Sequence, residues 1–134
     1  MSNRILLLDI FLSVAMACGG PVADKKLVEP VVGDLDGIYS CVGIQKDKQY
    51  VGAATVQKVG DVYLVNWSMA GDKGIGIRTG DALAVSWVND LGHGVTVYKI
   101  EPGPKLVGRW AGVPGNARLH TETLHFLKAF PEED

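Results

Sequence analysis

An all-β domain is expected over residues 36–128, built as an eight-stranded antiparallel up-and-down meander that closes into a barrel. Three observations predict it. Short runs rich in Val, Ile, Tyr, Trp and Thr recur from Gly37 onward, and β-branched and aromatic residues suit a pleated, half-buried surface. Each run is bounded by Gly, Asp, Asn or Pro, the residues that turn a chain. None of the connections is long enough to hold a crossover helix, so successive strands are antiparallel neighbours. Closure removes the exposed edges of such a sheet; a two-sheet sandwich is the alternative.

The elements follow in order. The first strand covers 38–43 and is released by Lys46-Asp47-Lys48; the second covers 50–58 and ends at Gly60-Asp61. The third, 62–69, runs through Trp67 to Gly71-Asp72-Lys73, and the fourth, 74–79, stops at Gly80-Asp81. The fifth, 82–88, carries Trp87 and leads into a polar connection from Asn89 to Gly94. The sixth, 95–100, ends at Pro102-Gly103-Pro104, where proline cannot extend a strand ladder. The seventh, 105–111, carries Trp110 and gives way to Gly112 through Ala117, and the eighth covers 118–127. Gly52, Gly76 and Gly108 fall inside runs, as bends or close packing in a tightly curved sheet require.

The residues before this domain have another character. Arg4 gives a short positive start, and the apolar run from Ile5 to Ala17 ends in small residues, the shape of a secretory signal. The run is shorter than the ~20 residues needed to span a bilayer. Ala15-Met16-Ala17-Cys18 resembles the end of a bacterial lipoprotein signal, in which the Cys is lipidated. That resemblance implies a removed signal peptide over 1–17, lipidation at Cys18 and a tether over 18–35 containing Gly19, Gly20, Pro21, Pro30 and Gly33. At ~3.3 Å per residue the tether reaches roughly 50 Å. An ordinary secretory peptide, or an N-terminal helix packed on the fold, are the alternatives. Cys41 is then the remaining cysteine, read as a small buried hydrophobe. Residues 129–134 read as an acidic tail.

Thirteen Lys+Arg against 15 Asp+Glu leave a net charge of −2 with no block of either sign, which argues against a nucleic-acid surface. In a meander, odd-numbered strands run one way. Trp67, Trp87 and Trp110 lie late in the third, fifth and seventh strands, and so share one end of the barrel. The longer connections, 89–94 and 112–117, belong to the same end. A tether entering the first strand starts from the opposite end, so the Trp end points away from a membrane. Barrel mouths are common ligand sites, and Trp67, Trp87 and Trp110, with His93 and Asn116 at the rim, are the candidate binding residues. The bland reading is that the three indoles merely close the core.

Catalytic and metal signals are weak. His120 and His125 are five apart and point to opposite faces of a strand. No Cys/His pairs have zinc spacing, so no metal or other cofactor is implied. Asp34-Leu35-Asp36-Gly37 lacks the further ligands of a calcium loop and reads as a strand-leading turn. Arg109 and Glu122, in the seventh and eighth strands, could pair across neighbouring strands; if buried, such a pair reads as a structural lock rather than an acid–base couple. An enzyme would have to use that pair or His93.

The pattern Gly37-x-Tyr39-x-Cys41-x-Gly43, followed by Gly60-Asp61-x-Tyr63-x-Val65-x-Trp67 and Gly80-Asp81-x-Leu83-Ala84-Val85-Ser86-Trp87, resembles a family of small exported bacterial proteins, some labelled fibronectin-binding. Gly94-Val95-x-Val97-Tyr98, Leu106-x-Gly108-x-Trp110 and Thr121-Glu122-x-Leu124 continue it. The meander also resembles the calycin barrels at the level of fold. The resemblance implies a binding protein and transfers no catalytic residue. The expectation is thus a membrane-tethered extracytoplasmic protein, periplasmic or on the cell surface. It would bind a small apolar ligand or an extracellular protein at its Trp end; a structural or adhesin-like lipoprotein with a filled barrel is the alternative.

Overall fold

A computed structural model describes residues 34–131; the expected signal segment, Cys18, the tether up to residue 33 and the last three residues of the acidic tail lie outside the described residues. Eight strands follow one another: β1 Gly37–Gln45, β2 Lys48–Val59, β3 Val62–Trp67, β4 Lys73–Thr79, β5 Ala82–Asn89, β6 Gly92–Glu101, β7 Lys105–Val113 and β8 His120–Lys128. Each pairs antiparallel with the next, and β1 pairs with β8, so the meander closes into a barrel rather than splitting into two sheets. Every strand read from the sequence is present, with ends shifted by a few residues.

Tight turns set the register. Lys46 and Asp47 both take positive φ, 52° and 64°, as a two-residue hairpin twisted with its strands requires. The connection expected from 89 to 94 is also tight. Asn89 pairs with Gly92, Val88 with His93 and Trp87 with Gly94, so only Asp90 and Leu91 turn. The Asn89 side-chain oxygen accepts the Leu91 and Gly92 N–H groups at 2.8 and 2.9 Å, a local bond that favours asparagine in turns. The long connection at this end is 114–119, between β7 and β8.

Alternation along each strand sends one set of side chains inward. Tyr39, Val56, Val65, Leu83, Ile100 and Leu106 belong to the buried core. Leu35, placed in the tether by the sequence, is fully buried in that core. The Tyr39 hydroxyl donates to the Leu35 carbonyl at 2.6 Å, and Asp36 Oδ1 accepts the Lys58 N–H at 2.8 Å. The barrel domain therefore includes the strand-leading turn.

In β4 the usual polarity is inverted. Ile75 and Ile77 face solvent, 52% and 63% exposed, while Gly74 and Gly76 face inward. A Cβ at Gly74 would lie 2.6 Å from Val85 Cγ1. Val85 on β5 occupies that space, so a side chain at Gly74 would force its neighbours to shift.

Candidate functional site

The barrel is packed at one end and hollow at the other. The end at which β1 begins is filled by the core described above. The opposite end, where the odd-numbered strands finish, holds a cavity of about 870 Å³. All three tryptophans line it, as their shared strand direction leads one to expect. Their burial differs. Trp67 is 6% exposed and belongs to the core, whereas Trp87 and Trp110 are half-buried walls. The Trp87 and Trp110 rings pack edge to face with centroids 5.8 Å apart, a favoured aromatic geometry. Tyr50 packs on Trp110 in the same manner at 6.5 Å.

The Trp87 ring depends on bare backbone across the sheet. A Cβ at Gly94 would lie 2.4 Å from its Cζ2, and one at Gly112 would lie 2.7 Å from its Cη2. These inward glycines on β6 and β7 are the slot that holds the indole against the wall.

Glu122 forms part of the cavity lining and is only 6% exposed. It stands on the inward face of β8, between His120 and Leu124. Tyr50 donates its hydroxyl to Glu122 Oε1 at 2.9 Å, and Trp67 Nε1–H donates to Oε2 at 2.9 Å. The Tyr98 hydroxyl donates to the same Oε2. Trp110 Nε1–H donates to the Tyr50 hydroxyl at 2.8 Å, extending the network to the wall. Three side-chain donors thus converge on a group that, ionised, can only accept. No buried side-chain nitrogen or oxygen among the described residues lacks a partner.

The network perturbs its neighbours. Burial first, then the Glu122 charge and the hydrogen bond to it, pushes the Tyr98 hydroxyl well above the usual tyrosine range. The same causes in the same order raise Tyr50. Burial, followed by the Glu122 charge, raises the Cys41 thiol. Cys41 is therefore a protonated, buried thiol, the opposite of the electropositive setting that activates cysteine.

Asn116 lies in the β7–β8 loop on the cavity rim. His93 does not belong to the site. It is paired within β6 opposite Val88 and Val113, exposed on the outer face. The hairpin is tight and Gly94 points inward, so parity turns His93 out. His120 lies on the lining instead, its ring 4.5 Å from that of Trp110.

Nor do Arg109 and Glu122 pair. Gly108 is opposite Glu122 and Arg109 is opposite Thr121; Arg109 is exposed while Glu122 is buried. A shift of one residue in register moves a side chain to the other face. Arg109→Ala is accordingly expected to change stability by less than about 0.5 kcal/mol, the range of surface substitutions, read from the urea unfolding midpoint. A larger loss would require a buried partner for the guanidinium.

Sequence reasoning also passed over Tyr50, Tyr98 and Met69 as neighbours of the site. The inward position of Glu122 was legible, because Leu124 and Phe126 share its parity and are apolar. Among the described residues no three His, Cys, Asp or Glu side chains converge on a metal position. The arrangement can hold an apolar body against indole and phenol rings with a carboxylate beneath it. No protein-family model matches the chain, and no curated protein matches it.

Proposed function

We propose that this is a membrane-tethered extracytoplasmic binding protein that takes a small, largely apolar ligand into the Trp-lined mouth of its barrel. The observation that carries this reading is the cavity of about 870 Å³, within the ~300–1,000 Å³ of small-molecule sites. A filled barrel would have left no such space. Its inner walls are aromatic, with Thr96, His120 and Glu122 among them, and its rim is polar, with Lys46, Asp72, Asn89, Asn116 and Arg118; apolar walls with placed polar groups are usual in ligand pockets. The tether part of the proposal rests on the resemblance of 1–18 to a lipoprotein signal. A lipid on Cys18 would lead into the packed end of the barrel, leaving the mouth facing away from the membrane.

One observation favours a second reading, a protein partner on the barrel wall. Ile77, Ala84 and Val97 are register neighbours on β4, β5 and β6, as are Ile75, Ser86 and Val95. Their isoleucines and valines are more than half exposed, and contiguous apolar patches mark interaction surfaces.

Tryptophan fluorescence separates the two, because all three Trp of the chain line the cavity. Titration of the purified chain with fatty acids, retinoids, haem and bacterial lipids is expected to give saturable quenching or a spectral shift with at least one class. Trp87→Phe and Trp110→Phe, folded by circular dichroism, should each lose about tenfold in affinity, or ~1.4 kcal/mol. Emission that neither these compounds nor a long-chain alkylammonium alters would sink the small-ligand reading and leave the outer wall.

A further inference from the structure

We propose that the ligand accepted by this mouth is cationic, an amine or quaternary ammonium group on an apolar body, with its charged head seated among Tyr50, Trp87 and Trp110 above Glu122. This rests on the small-ligand reading and names the chemistry of that same site. Two independent features carry it. The first is charge. Glu122 is buried on the cavity lining, and the groups that hydrogen-bond to it are neutral: two phenols and an indole. The expected cationic partner, Arg109, is on the outside of the barrel. The basic side chains of the lining, Lys46 and Arg118, belong to exposed turn and loop positions at the rim. A carboxylate taken out of water without a counter-charge is costly, and hydrogen bonds from neutral donors leave its net charge in place. A ligand cation entering the cavity meets that charge where little water screens it.

The second feature is the ring geometry. Trp87, Trp110 and Tyr50 are arranged edge to face at 5.8 and 6.5 Å, which turns successive rings in different directions around the cavity. Aromatic faces carry negative quadrupole density, and sets of such rings recognise quaternary ammonium ligands. The His120 ring lies 4.5 Å from that of Trp110 and covers part of it. An anionic ligand such as a fatty acid would place its own carboxylate in the cavity with Glu122, an arrangement of like charges that costs affinity. Its head would have to stay at the rim with Lys46 and Arg118.

Isothermal titration calorimetry of the purified chain tests this with three probes of one chain length, each below its micellar concentration: decyltrimethylammonium chloride, decanol and decanoate. The cation is expected to bind at least tenfold more tightly than either other probe, and Glu122→Gln should reduce that preference to about twofold. The comparison among probes on the unaltered protein stands even if the variant fails to fold. Equal binding of all three, or tightest binding of decanoate, overturns the cationic assignment while the small-ligand reading survives. Absence of binding by every probe overturns both. A preference that persists undiminished in folded Glu122→Gln removes Glu122 as its source and also overturns the proposal.

Discussion

Glu122→Leu is expected to destabilise the barrel by about 2–6 kcal/mol, from the cost of ~1–3 kcal/mol for each buried polar group left unpaired. The substitution removes the acceptor of Trp67 Nε1–H and of the Tyr98 hydroxyl, both in the interior. Tyr50 is less affected, because its hydroxyl still accepts from Trp110. Glu122→Gln keeps the shape and one carbonyl oxygen, and about 1–2 kcal/mol is expected for it. Urea unfolding followed by circular dichroism gives both values, with an unchanged slope if the change is in stability alone. Buried ionic groups are sometimes replaced by apolar ones with no loss. A leucine variant as stable as the parent would mean that the network contributes nothing to folding and is retained for the cavity.

The barrel is also expected to unfold in alkali before Tyr39, Tyr50 and Tyr98 titrate. Tyr39 and Tyr98 are raised chiefly by burial, and Cys41 likewise. For an acid whose folded pKa lies above its unfolded value, both states hold the proton at neutral pH and stability is at its full value. As pH rises past about 8.5 for a thiol and 10 for a phenol, the unfolded chain releases protons that the folded chain keeps. Stability then falls with pH. Three such groups give a limiting slope of about 4 kcal/mol per pH unit, and Tyr50 steepens it. Against a total of ~5–15 kcal/mol for a domain, one to a few pH units above 10 suffice. Phenolate absorbance should rise together with the loss of the β-sheet signal, in one cooperative step. Titration of Tyr39, Tyr50 and Tyr98 near pH 10 with the sheet signal intact would show that these hydroxyls are not held as described.

The site was only partly legible in the sequence. That Trp67, Trp87 and Trp110 share an end follows from strand parity alone, once the runs and turns are counted. His93 lies in β6 and outside the cavity lining, although Gly92 and Gly94 flank it and glycine usually marks a loop. Here Gly94 is a strand residue whose missing side chain makes room for Trp87. The requirement comes from a ring on the neighbouring strand, which local sequence does not display. Arg109 and Glu122 are opposite charges in adjacent strands, but that alone does not bring them together. Which residues face each other depends on a register set by the 114–119 loop, and one residue decides between partner and stranger.

Eight antiparallel strands are legible in the residues alone, because β-branched runs, Gly-Asp turns and short connections are local features that act within a few residues. The end of the meander that carries the indoles is legible there too. Only the tertiary structure decided that the sheet closes through β1 and β8, that Leu35 is core, and that Glu122 lies at the cavity held by Tyr50, Trp67 and Tyr98. It alone decided that one half of the barrel is packed and the other hollow. These depend on how side chains from strands far apart in sequence divide one shared volume, and that division exists only once the barrel is closed.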